Sequence, residues 1–481
     1  MLEPNRLAWL AAQHPEREAV FFRRWHTYGE LYARARRAAG ALRALGVGPG
    51  DRVGLLSHNH LAYLDLLFAG PLLGHILTPF NHRLSLPELQ ALHAYTEPRV
   101  LFYGEGFGEV ALALDPKALP LEALEEGEEA PEALSVGLED PALLLFTGGT
   151  TGLPKGALIP YRQLLLNALE TAAAWGLTRE DRYILATPLL FLGGQVVLME
   201  RFRAEEYLEL TRRFRPTILF LVPTMFQMLT EAEGWEGLDL GFVRFAISGG
   251  APCPAPVREA FRRKGVRFKQ GYGLTECGVN CFAFELAEAE AYPESVGRPM
   301  PHLRARLVRE DGKEAALGEA GELWLSGGVV MKGYFRRPEE NEKVFAWDGE
   351  RLWLKTGDLA YRDEGGRFYI VGRRKEMFIS GGENVYPVEV ERALYDHPAV
   401  KEAAVVGVPD PRWGEVGAAF VALKPGETLE AEALRAFLRQ RLAGYKVPKH
   451  VVFLEELPKT GPGKVNKEAL KRFWEEAHGE A

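Results

Sequence analysis

The chain has 481 residues, which exceeds what one compact core usually holds and predicts roughly two to four domains or subdomains. Hydrophobic residues make up 47% of the chain, as in ordinary globular proteins, and the formal net charge is −8. This acidic balance argues against nucleic acid as the main partner, because the phosphate backbone is bound by basic surfaces.

The N-terminal part of the chain is predicted to alternate between helices and strands. Its first residues carry no basic segment that leads into an apolar one, so no export signal is expected. A helical pattern covers residues 5 to about 46, and short strands are predicted at 52–56 and 98–103. The apolar stretch at 61–80 contains Asp65, His75 and glycine-proline breaks, which favour a buried helix and turn over a transmembrane segment. Such alternation predicts a parallel α/β sheet with right-handed crossovers.

A glycine-rich loop follows a predicted strand at 143–147 and ends at Lys155. Glycines allow backbone N–H groups to approach an anion, threonine hydroxyls add donors, and the lysine adds a positive charge. The residues that could surround an anion are Thr147, Gly148, Gly149, Thr150, Thr151 and Gly152. We therefore predict a phosphate-binding loop, although a connection without a ligand is the alternative. It is not a Walker loop, because Pro154 precedes the lysine and Gly156 follows it.

The pattern changes twice after this loop. Helices at 163–175 and 224–231 alternate with strands at 183–186, 216–222 and 242–248. From 296 to about 374, short strands and turns predict an antiparallel β subdomain. The remainder reads as an α+β unit of about a hundred residues, a typical small-domain size. We predict an α/β fold with a large N-terminal domain of parallel sheets at 1–374, including the β subdomain, and a small C-terminal domain at 375–481.

The three cysteines are Cys253, Cys277 and Cys281, and they have no C-x-x-C spacing. Reduced thiols are the simplest interpretation, so we expect a cytoplasmic protein.

Six further segments carry glycines or charges in a fixed order, at 249–252, 270–276, 355–358, 372–375, 380–385 and 458–464. The first follows an apolar strand, at the place where α/β sheets bind ligands. The second begins as G-x-G but has Glu276 where a dinucleotide fingerprint needs its third glycine. Together with the phosphate loop, these segments resemble the acyl-adenylate-forming superfamily of acyl-CoA synthetases, carrier-protein adenylation domains and beetle luciferases. The resemblance covers nearly the whole chain.

The resemblance implies a two-step ligase reaction. A carboxylic acid attacks the α-phosphorus of ATP to give acyl-AMP and pyrophosphate, and the thiol of coenzyme A then displaces AMP to give a thioester. Mg²⁺ is implied as the cofactor. Because the first step joins two anions, catalysis must come from positive charge and oriented donors.

The resemblance also implies roles for individual residues. The phosphate loop from Thr147 to Lys155 holds the ATP phosphates. Gly250 and Ala251 lie against adenine, and Tyr272 stacks on its face. The remaining implied contacts are Thr275 to the α-phosphate, Glu276 and Thr151 to Mg²⁺, Asp358 to the ribose hydroxyls, and Arg373 to the ribose and phosphate region.

Four more roles are implied for the C-terminal domain, which is mobile in the family. Lys464 is the adenylation lysine, and it reaches the site only when this domain docks. Lys375 matches the hinge, while Gly381 and Gly382 face the pantetheine channel. Taken alone, Asp358 could be a turn acid, Lys464 a loop lysine and Tyr272 a core residue.

The chain departs from the family between Lys155 and Gly249, where an aromatic Pro-x-Phe-His-x-Gly-Gly segment is usual. Either Phe191 replaces the histidine, or the motif is missing and 189–199 is the helix end and strand that normally follow it. We favour the second interpretation. Under both, the acyl pocket is unassigned; Thr224, Met225 and Phe226 are expected in the core.

No arginine or lysine in the recognisable pocket segments calls for a second carboxylate. We expect a monocarboxylic aliphatic or aryl acid, with a fatty acid first. Alternatives are an adenylation enzyme that loads a carrier protein, a luciferase-like oxygenase, and a nucleotide-binding homologue with impaired catalysis. The presence of Glu276 and Lys464 argues against the last. A homodimer is compatible with the sequence, which does not determine the oligomeric state.

Overall fold

The computed structural model describes residues 3–130, 136–147, 155–185, 195–283, 285–459 and 464–478. The helices in these ranges are α1 (Arg6–Gln13), α2 (Tyr28–Ala44), α3 (Ala62–Leu73), α4 (Leu86–Thr96), α5 (Gly108–Leu114), α6 (Tyr161–Trp175), α7 (Ala204–Phe214), α8 (Pro223–Glu231), α9 (Ala255–Arg263), α10 (Leu286–Ala291), α11 (Pro338–Val344), α12 (Pro387–Tyr395), α13 (Ala431–Arg439) and α14 (Lys467–His478). Short 3-10 helices lie at Leu121–Leu124 and Gly444–Lys446.

The strands in the same ranges are β1 (Glu18–Phe22), β2 (Arg24–Thr27), β3 (Arg52–Leu56), β4 (Ile76–Pro79), β5 (Val100–Tyr103), β6 (Leu119–Pro120), β7 (Pro141–Thr147), β8 (Lys155–Pro160), β9 (Arg182–Leu185), β10 (Gln195–Leu198), β11 (Ile218–Leu221), β12 (Phe245–Ser248), β13 (Phe268–Gln270), β14 (Phe282–Ala283), β15 (Arg298–Pro299), β16 (Leu303–Val308), β17 (Gly321–Gly327), β18 (Gly333–Tyr334), β19 (Phe345–Trp347), β20 (Leu352–Arg362), β21 (Phe368–Arg373), β22 (Phe378–Ser380), β23 (Glu383–Val385), β24 (Val400–Asp410), β25 (Gly414–Leu423) and β26 (His450–Phe453).

Two mainly parallel sheets form the larger part of the molecule. The first has the order β13-β12-β11-β9-β10-β1-β2, and its pairs are parallel except β1 with β2. The second has the order β18-β8-β7-β4-β3-β5-β6, with parallel pairs from β7 to β6. The predicted parallel α/β architecture is confirmed.

The prediction of a helical pattern throughout residues 5–46 is wrong in part. Strands β1 and β2 interrupt it, between α1 and α2. Strand β1 buries Ala19, Val20 and Phe22, and Arg23, with a φ of 62°, makes the tight turn to β2. Side-chain burial in the sheet therefore outweighed the helical spacing. The helix α2 then begins at Tyr28, and the preceding Thr27 forms a capping box with Glu30.

An antiparallel sheet follows, as predicted, with the order β16-β17-β20-β19 and with β21 paired to β20. A separate sheet begins with β22 and has the order β23-β22-β25-β24, with β26 paired to β25. Helices α12 and α13 bury apolar side chains against this sheet, including Val390, Leu394 and Leu434. We call residues from β22 onward the C-terminal unit. The exact division at residues 374 and 375 stays a prediction.

The sheets bring several strand ends to one place. Strands β7, β11, β12 and β13 all end beside one cleft, and the C-terminal unit covers another of its sides. This is the edge of a parallel sheet at which ligands bind. Within the described ranges, no helix combines the length and apolar character needed to cross a bilayer.

Candidate active site

The cleft has a volume of about 1610 Å³, and its walls contain most of the residues predicted to act. Those lining it are Thr147, Lys155, Gly250, Ala251, Tyr272, Thr275, Glu276, Asp358, Arg373, Lys375 and Lys464. Gly381 and Gly382 are not on its described lining. The predicted residues Gly148, Gly149, Thr150, Thr151 and Gly152 lie outside the described residues. Residues from the whole length of the chain therefore meet in one place.

Tyr272, Asp358 and Arg373 form one interlocked group. The Tyr272 hydroxyl donates to Oδ2 of Asp358 at 2.5 Å, and Nε of Arg373 lies 2.7 Å from Oδ1. Asp358 and Arg373 are cross-strand neighbours on β20 and β21, which explains their contact. Burial raises the pKa of Asp358 above its ordinary value, although Arg373 and Tyr272 both favour the ionised form. The carboxylate is thus oriented from two sides at the cleft wall.

Glu276 is oriented by a residue that the sequence analysis did not identify. Its Oε1 accepts a hydrogen bond from the Tyr334 hydroxyl at 2.7 Å. Burial, followed by the charge of Glu276, raises the pKa of Tyr334, so its hydroxyl stays a donor. The neighbouring Thr275 is held through its carbonyl, which accepts from Nε2 of Gln163 on α6 at 3.0 Å.

Lys155 is engaged by an acidic residue that was also not predicted. Its ammonium pairs with Glu340 on α11 and lies 5.4 Å from the centre of the Tyr334 ring. Glu340 also pairs with Lys343 at 2.7 Å. The hydrogen bond to Lys155, with a further one to Lys343, lowers the pKa of Glu340 to about 2. Thr147 is next to Lys155 across the β7–β8 hairpin, and its hydroxyl donates to the Lys155 carbonyl at 3.5 Å.

Lys464 lies against the backbone at Gly250, although it comes from the far end of the chain. A Cβ placed on Gly250 would be 3.5 Å from Cε and 3.7 Å from Nζ of the lysine. Gly250 has a φ of 84°, a conformation that favours glycine. Surrounding protein on the walls of the cleft, and then the charge of Arg373, lower the pKa of Lys464, although the side chain remains open to water in the cleft.

Two family descriptions match this chain. The AMP-binding enzyme model covers residues 7–335, and the AMP-binding enzyme C-terminal domain model covers residues 389–464. The chain belongs to the AMP-binding enzyme family.

Two similar proteins are an acyl-CoA synthase and an acid–CoA ligase. A feruloyl-CoA synthase of Amycolatopsis sp is 41% identical over 462 residues, which cover 93% of both chains. An indoleacetate–CoA ligase of Aromatoleum aromaticum is 36% identical over 503 residues, covering 98% of this chain and 96% of that protein.

A solved structure agrees over nearly the full length. The o-succinylbenzoate CoA synthetase of Bacillus subtilis, in complex with its acyl-adenylate intermediate, has a TM-score of 0.89 at 32% identity and covers 98% of both chains. The same synthetase in complex with ATP and magnesium ion has a TM-score of 0.87 at 31% identity, with 96% of this chain and 98% of that chain covered.

The donor set of this AMP-binding enzyme fits a nucleotide and a magnesium ion. Lys155, Arg373 and Lys464 place three cations around the cleft, where they can meet phosphates. The buried carboxylate of Asp358 is an acceptor for hydroxyl groups. Mg²⁺ prefers one or two carboxylates together with phosphate oxygens, and Glu276 supplies a carboxylate on the same wall.

A mostly apolar compartment of the cleft adjoins Gly250. Val222 lies 3.9 Å and Phe220 3.4 Å from Cβ positions built on Gly250 and Gly249 respectively. Trp175 meets Phe220 edge to face, with ring centres 6.1 Å apart. None of the described residues that α6, β11 and α8 contribute to the lining is charged. The sequence analysis missed this compartment, because apolar side chains in helices and strands look like ordinary core.

The predicted core position of Thr224 is wrong. Thr224 and Gln227 line the cleft, whereas Phe226 is fully buried, as expected, and Met225 packs against the core from a partly buried position. Because Thr224 and Gln227 are three residues apart, the helical repeat of α8 places them on one face and Phe226 on another. The competing interpretations of the segment around Phe191 stay open, because 186–194 lie outside the described residues.

The predicted channel glycines form the turn between β22 and β23. Gly381 has a φ of 61° and Gly382 a φ of 87°, so both adopt the left-handed region. A Cβ on Gly381 would lie 2.8 Å from the ring of Trp413, which Arg412 approaches to 4.8 Å and Lys449 to 5.9 Å. The turn therefore carries an exposed aromatic side chain among basic ones.

The predicted hinge lies in a single turn between β21 and β22. The Arg373 carbonyl accepts from the backbone N–H of Glu376 at 3.0 Å and of Met377 at 3.1 Å, while the Arg374 N–H donates to the Gly357 carbonyl at 2.8 Å. Lys375 stands at the centre of this turn and on the cleft wall. Its role as the hinge stays a prediction.

Proposed function

We propose that this protein activates an aromatic monocarboxylic acid with an otherwise uncharged acyl group and transfers it to coenzyme A. The protein is an ATP-dependent acid–CoA ligase of the AMP-forming type, with ATP, Mg²⁺ and CoA as co-substrates and cofactor. The observation that carries the proposed substrate is the uncharged, aromatic-walled compartment beside Gly250. Ferulic and indoleacetic acids, which the names of two relatives contain, fit this description.

The sequence placed a fatty acid first among the substrates, and we now place an aryl acid first. Trp175 and Phe220 offer ring edges and faces, which suit a flat ring. A second carboxylate or a sulfonate would be desolvated without a cationic partner on the described part of this wall, at a high energetic cost.

In the adenylation step, the side chains supply charge and orientation. Lys464 places its ammonium at Gly250, between the acyl compartment and the nucleotide wall, where carboxylate and α-phosphate charges meet. Arg373 adds a second cation. The acid is already ionised at neutral pH, so no general base is needed. Thr275 contacts the α-phosphate, and Lys155 exchanges Glu340 for the outer phosphates.

The nucleotide is held by the interlocked group. Asp358 accepts hydrogen bonds from the ribose hydroxyls, and Tyr272, fixed through its hydroxyl, presents its ring to adenine beside Gly250 and Ala251. Glu276 holds Mg²⁺, with Thr151 of the phosphate loop as a further oxygen donor. When bound, Mg²⁺ neutralises phosphate charge.

In the thioester step, we propose that residues 375–481 rotate as a domain on 1–374 about Lys375. This motion removes Lys464 and brings the Gly381–Gly382 turn toward the cleft. The missing side chains leave room for the pantetheine arm. Trp413, with Arg412 and Lys449 beside it, offers a stacking surface and positive charge to the nucleotide part of CoA.

The test is a side-by-side measurement of pyrophosphate release and CoA-thioester formation with ferulate, indoleacetate, a medium-chain fatty acid and a dicarboxylic aryl acid. We expect both products, with the highest kcat/KM for an aromatic monocarboxylate. A fatty acid or a dicarboxylate with the highest value would overturn the substrate proposal. Pyrophosphate without thioester would favour a carrier-protein acceptor, and absence of both products would favour the impaired homologue.

A pair of tryptophan variants sharpens this test. Trp175→Ala should raise KM for the aromatic acid and leave KM for ATP unchanged. Trp347→Ala is the control, because Trp347 is 66% exposed on β19 and does not line the cleft. Equal changes in both variants would show that the compartment does not hold the acid.

Two further predictions concern the setting of the enzyme. The three cysteines are buried free thiols, which supports a reducing compartment such as the cytoplasm. A homodimer also stays a prediction, and light scattering of the purified protein would decide it.

A further inference from the structure

Glu294 joins the larger part of the molecule to the C-terminal unit. It lies between α10 and β15, and its Oε1 accepts a hydrogen bond from Nη2 of Arg258 on α9. Nη1 of Arg258 also donates to the Pro293 carbonyl at 2.7 Å, so this arginine is fixed to the same loop. Oε2 of Glu294 lies 3.3 Å from Nε of Arg392 on α12. One carboxylate therefore bridges arginines of the two parts.

Arg392 also fixes α12 to strand β21. Its Nη2 donates to the Ile370 carbonyl at 3.4 Å. One turn earlier on the helix, Val388 packs close to Gly372, where an added Cβ would lie 3.8 Å from its Cγ2. Glu294 thus supplies a charged contact at the place where α12 meets the larger part of the molecule.

Helix α12 contacts the segment that carries Lys464. Glu391, next to Arg392 on the helix, forms an ion pair with Lys467 at 2.8 Å. Lys467 begins α14, pairs also with Glu376 at 2.9 Å, and comes three residues after Lys464 in the chain. Two ion pairs and two short stretches of chain therefore connect Glu294 with the ammonium at Gly250.

We propose that Glu294 is a positioning residue, which acts through Arg392 and α12 to keep Lys464 against Gly250. The proposal rests on the adenylation role of Lys464 given above. The contact of Glu294 with Arg392 exists in the arrangement that places this lysine in the cleft. Its loss should therefore slow acyl-adenylate formation and spare the conversion of supplied acyl-adenylate to thioester.

The expected effect is moderate. Both side chains of the pair are partly exposed, at 35% for Arg392 and 40% for Glu294. Ion pairs of this exposure contribute little, so the loss in adenylation rate should be on the order of two- to fivefold.

The experiment compares Glu294→Gln, Arg392→Gln and the double variant with the unchanged protein. Acyl-adenylate formation is measured as ATP–pyrophosphate exchange, and thioester formation is measured from supplied acyl-adenylate and CoA. Glu432→Gln is the matched control, because it breaks an exposed pair with Arg435 at 2.6 Å within the C-terminal unit. Thermal unfolding of every variant is recorded beside the kinetics.

We expect each single variant to lose exchange activity and Glu432→Gln to lose none. The double variant should lose no more exchange activity than the single variant with the larger loss. Equal loss in both half-reactions, additive losses or unchanged exchange would overturn the proposal. Lys464→Ala is measured in parallel to separate the two proposals. Unchanged exchange in that variant would overturn the role of Lys464 itself, and with it the role of Glu294.

Discussion

Two groups of side chains face the centre of the cleft, and they are held in opposite ways. Tyr272, Asp358 and Arg373 belong to the larger part of the molecule and fix one another at 2.5 and 2.7 Å. Lys464 belongs to the C-terminal unit and lies beside the backbone of Gly250. We propose that its position depends on contacts such as Arg392 with Glu294, where α12 meets the larger part of the molecule.

We therefore propose that the two groups have different tasks. The interlocked group holds the nucleotide, and Lys464 acts in the adenylation step. Tyr272 and Asp358 are buried and Arg373 is paired with Asp358, so the interlocked group is oriented before ATP arrives and costs little to organise at the moment of reaction. The rotation that we propose for the C-terminal unit would remove Lys464 and leave the contacts among Tyr272, Asp358 and Arg373 in place. We infer that one site can serve both half-reactions because Lys464, the lysine proposed for the first, is carried on the C-terminal unit, whereas Arg373 stays with the nucleotide wall.

Lys464→Ala has the largest expected effect and tests whether this lysine acts only in the first half-reaction. We expect acyl-adenylate formation to fall by roughly 10²–10³, because a preorganised cation at developing charge is lost. Thioester formation from supplied acyl-adenylate should stay largely intact. Single-turnover measurements of the two half-reactions check this. An equal fall in both would mean that the lysine serves the whole site.

Asp358→Asn tests the other group. The amide cannot form the ion pair with Arg373, which is left without its charged partner in the nucleotide wall. We expect the KM for ATP to rise by about 10- to 100-fold, as is typical when a charged buried partner is removed. Both half-reactions should suffer, because both bind the AMP moiety.

Asp363→Asn is the matched control for this change. Asp363 lies on the same β20–β21 hairpin and pairs with Arg367 at 2.8 Å, but it does not line the cleft. Its KM for ATP should equal that of the unchanged protein. A similar rise in both variants would indicate that the hairpin, and not the ribose contact, had been disturbed.

The sequence could identify the interlocked group and the lysine because each stands in a segment rich in glycine or charge. Gly250 and Gly381 are needed for their backbone conformations, and such requirements leave a mark in the sequence. The order of these segments then indicated the family, and with it the fold and the cofactors. The residue roles themselves stay predictions that the variants above test.

The partners of these residues could not be identified in the same way. Tyr334 and Glu340 stand in β18 and α11, far along the chain from Glu276 and Lys155, which they contact. Only the pairing of β18 with β8 brings them to the cleft. The compartment wall at Trp175 was hidden for another reason, since an apolar residue facing a cavity has the same pattern as one in the core.

Tyr334→Phe measures how much such a partner contributes. The variant loses the hydroxyl that orients Glu276 at 2.7 Å and keeps the ring near Lys155. We expect acyl-adenylate formation to fall about 3- to 10-fold, in line with one hydrogen bond to a charged group. The Mg²⁺ concentration needed for half-maximal rate should rise as well.

Tyr369→Phe provides the comparison for Tyr334→Phe. The Tyr369 hydroxyl donates to Asp363 at 3.1 Å outside the cleft lining, so its loss should leave the Mg²⁺ dependence unchanged. An unchanged Mg²⁺ dependence in Tyr334→Phe would contradict the assignment of Glu276 to the metal.

The smallest expected effect is the pH dependence of the adenylation step. The surrounding protein and then the charge of Arg373 lower the pKa of Lys464. In the free enzyme this side chain therefore loses its proton at a lower pH than an ordinary lysine, whose pKa is about 10.4. As pH rises, kcat/KM for pyrophosphate exchange should reach half of its plateau value at the lowered pKa and fall further above it, whereas thioester formation should not fall with it. Lys464→Arg keeps its charge throughout, so this fall should disappear even if its rate is lower. The same fall in the arginine variant would place the titrating group elsewhere in the cleft.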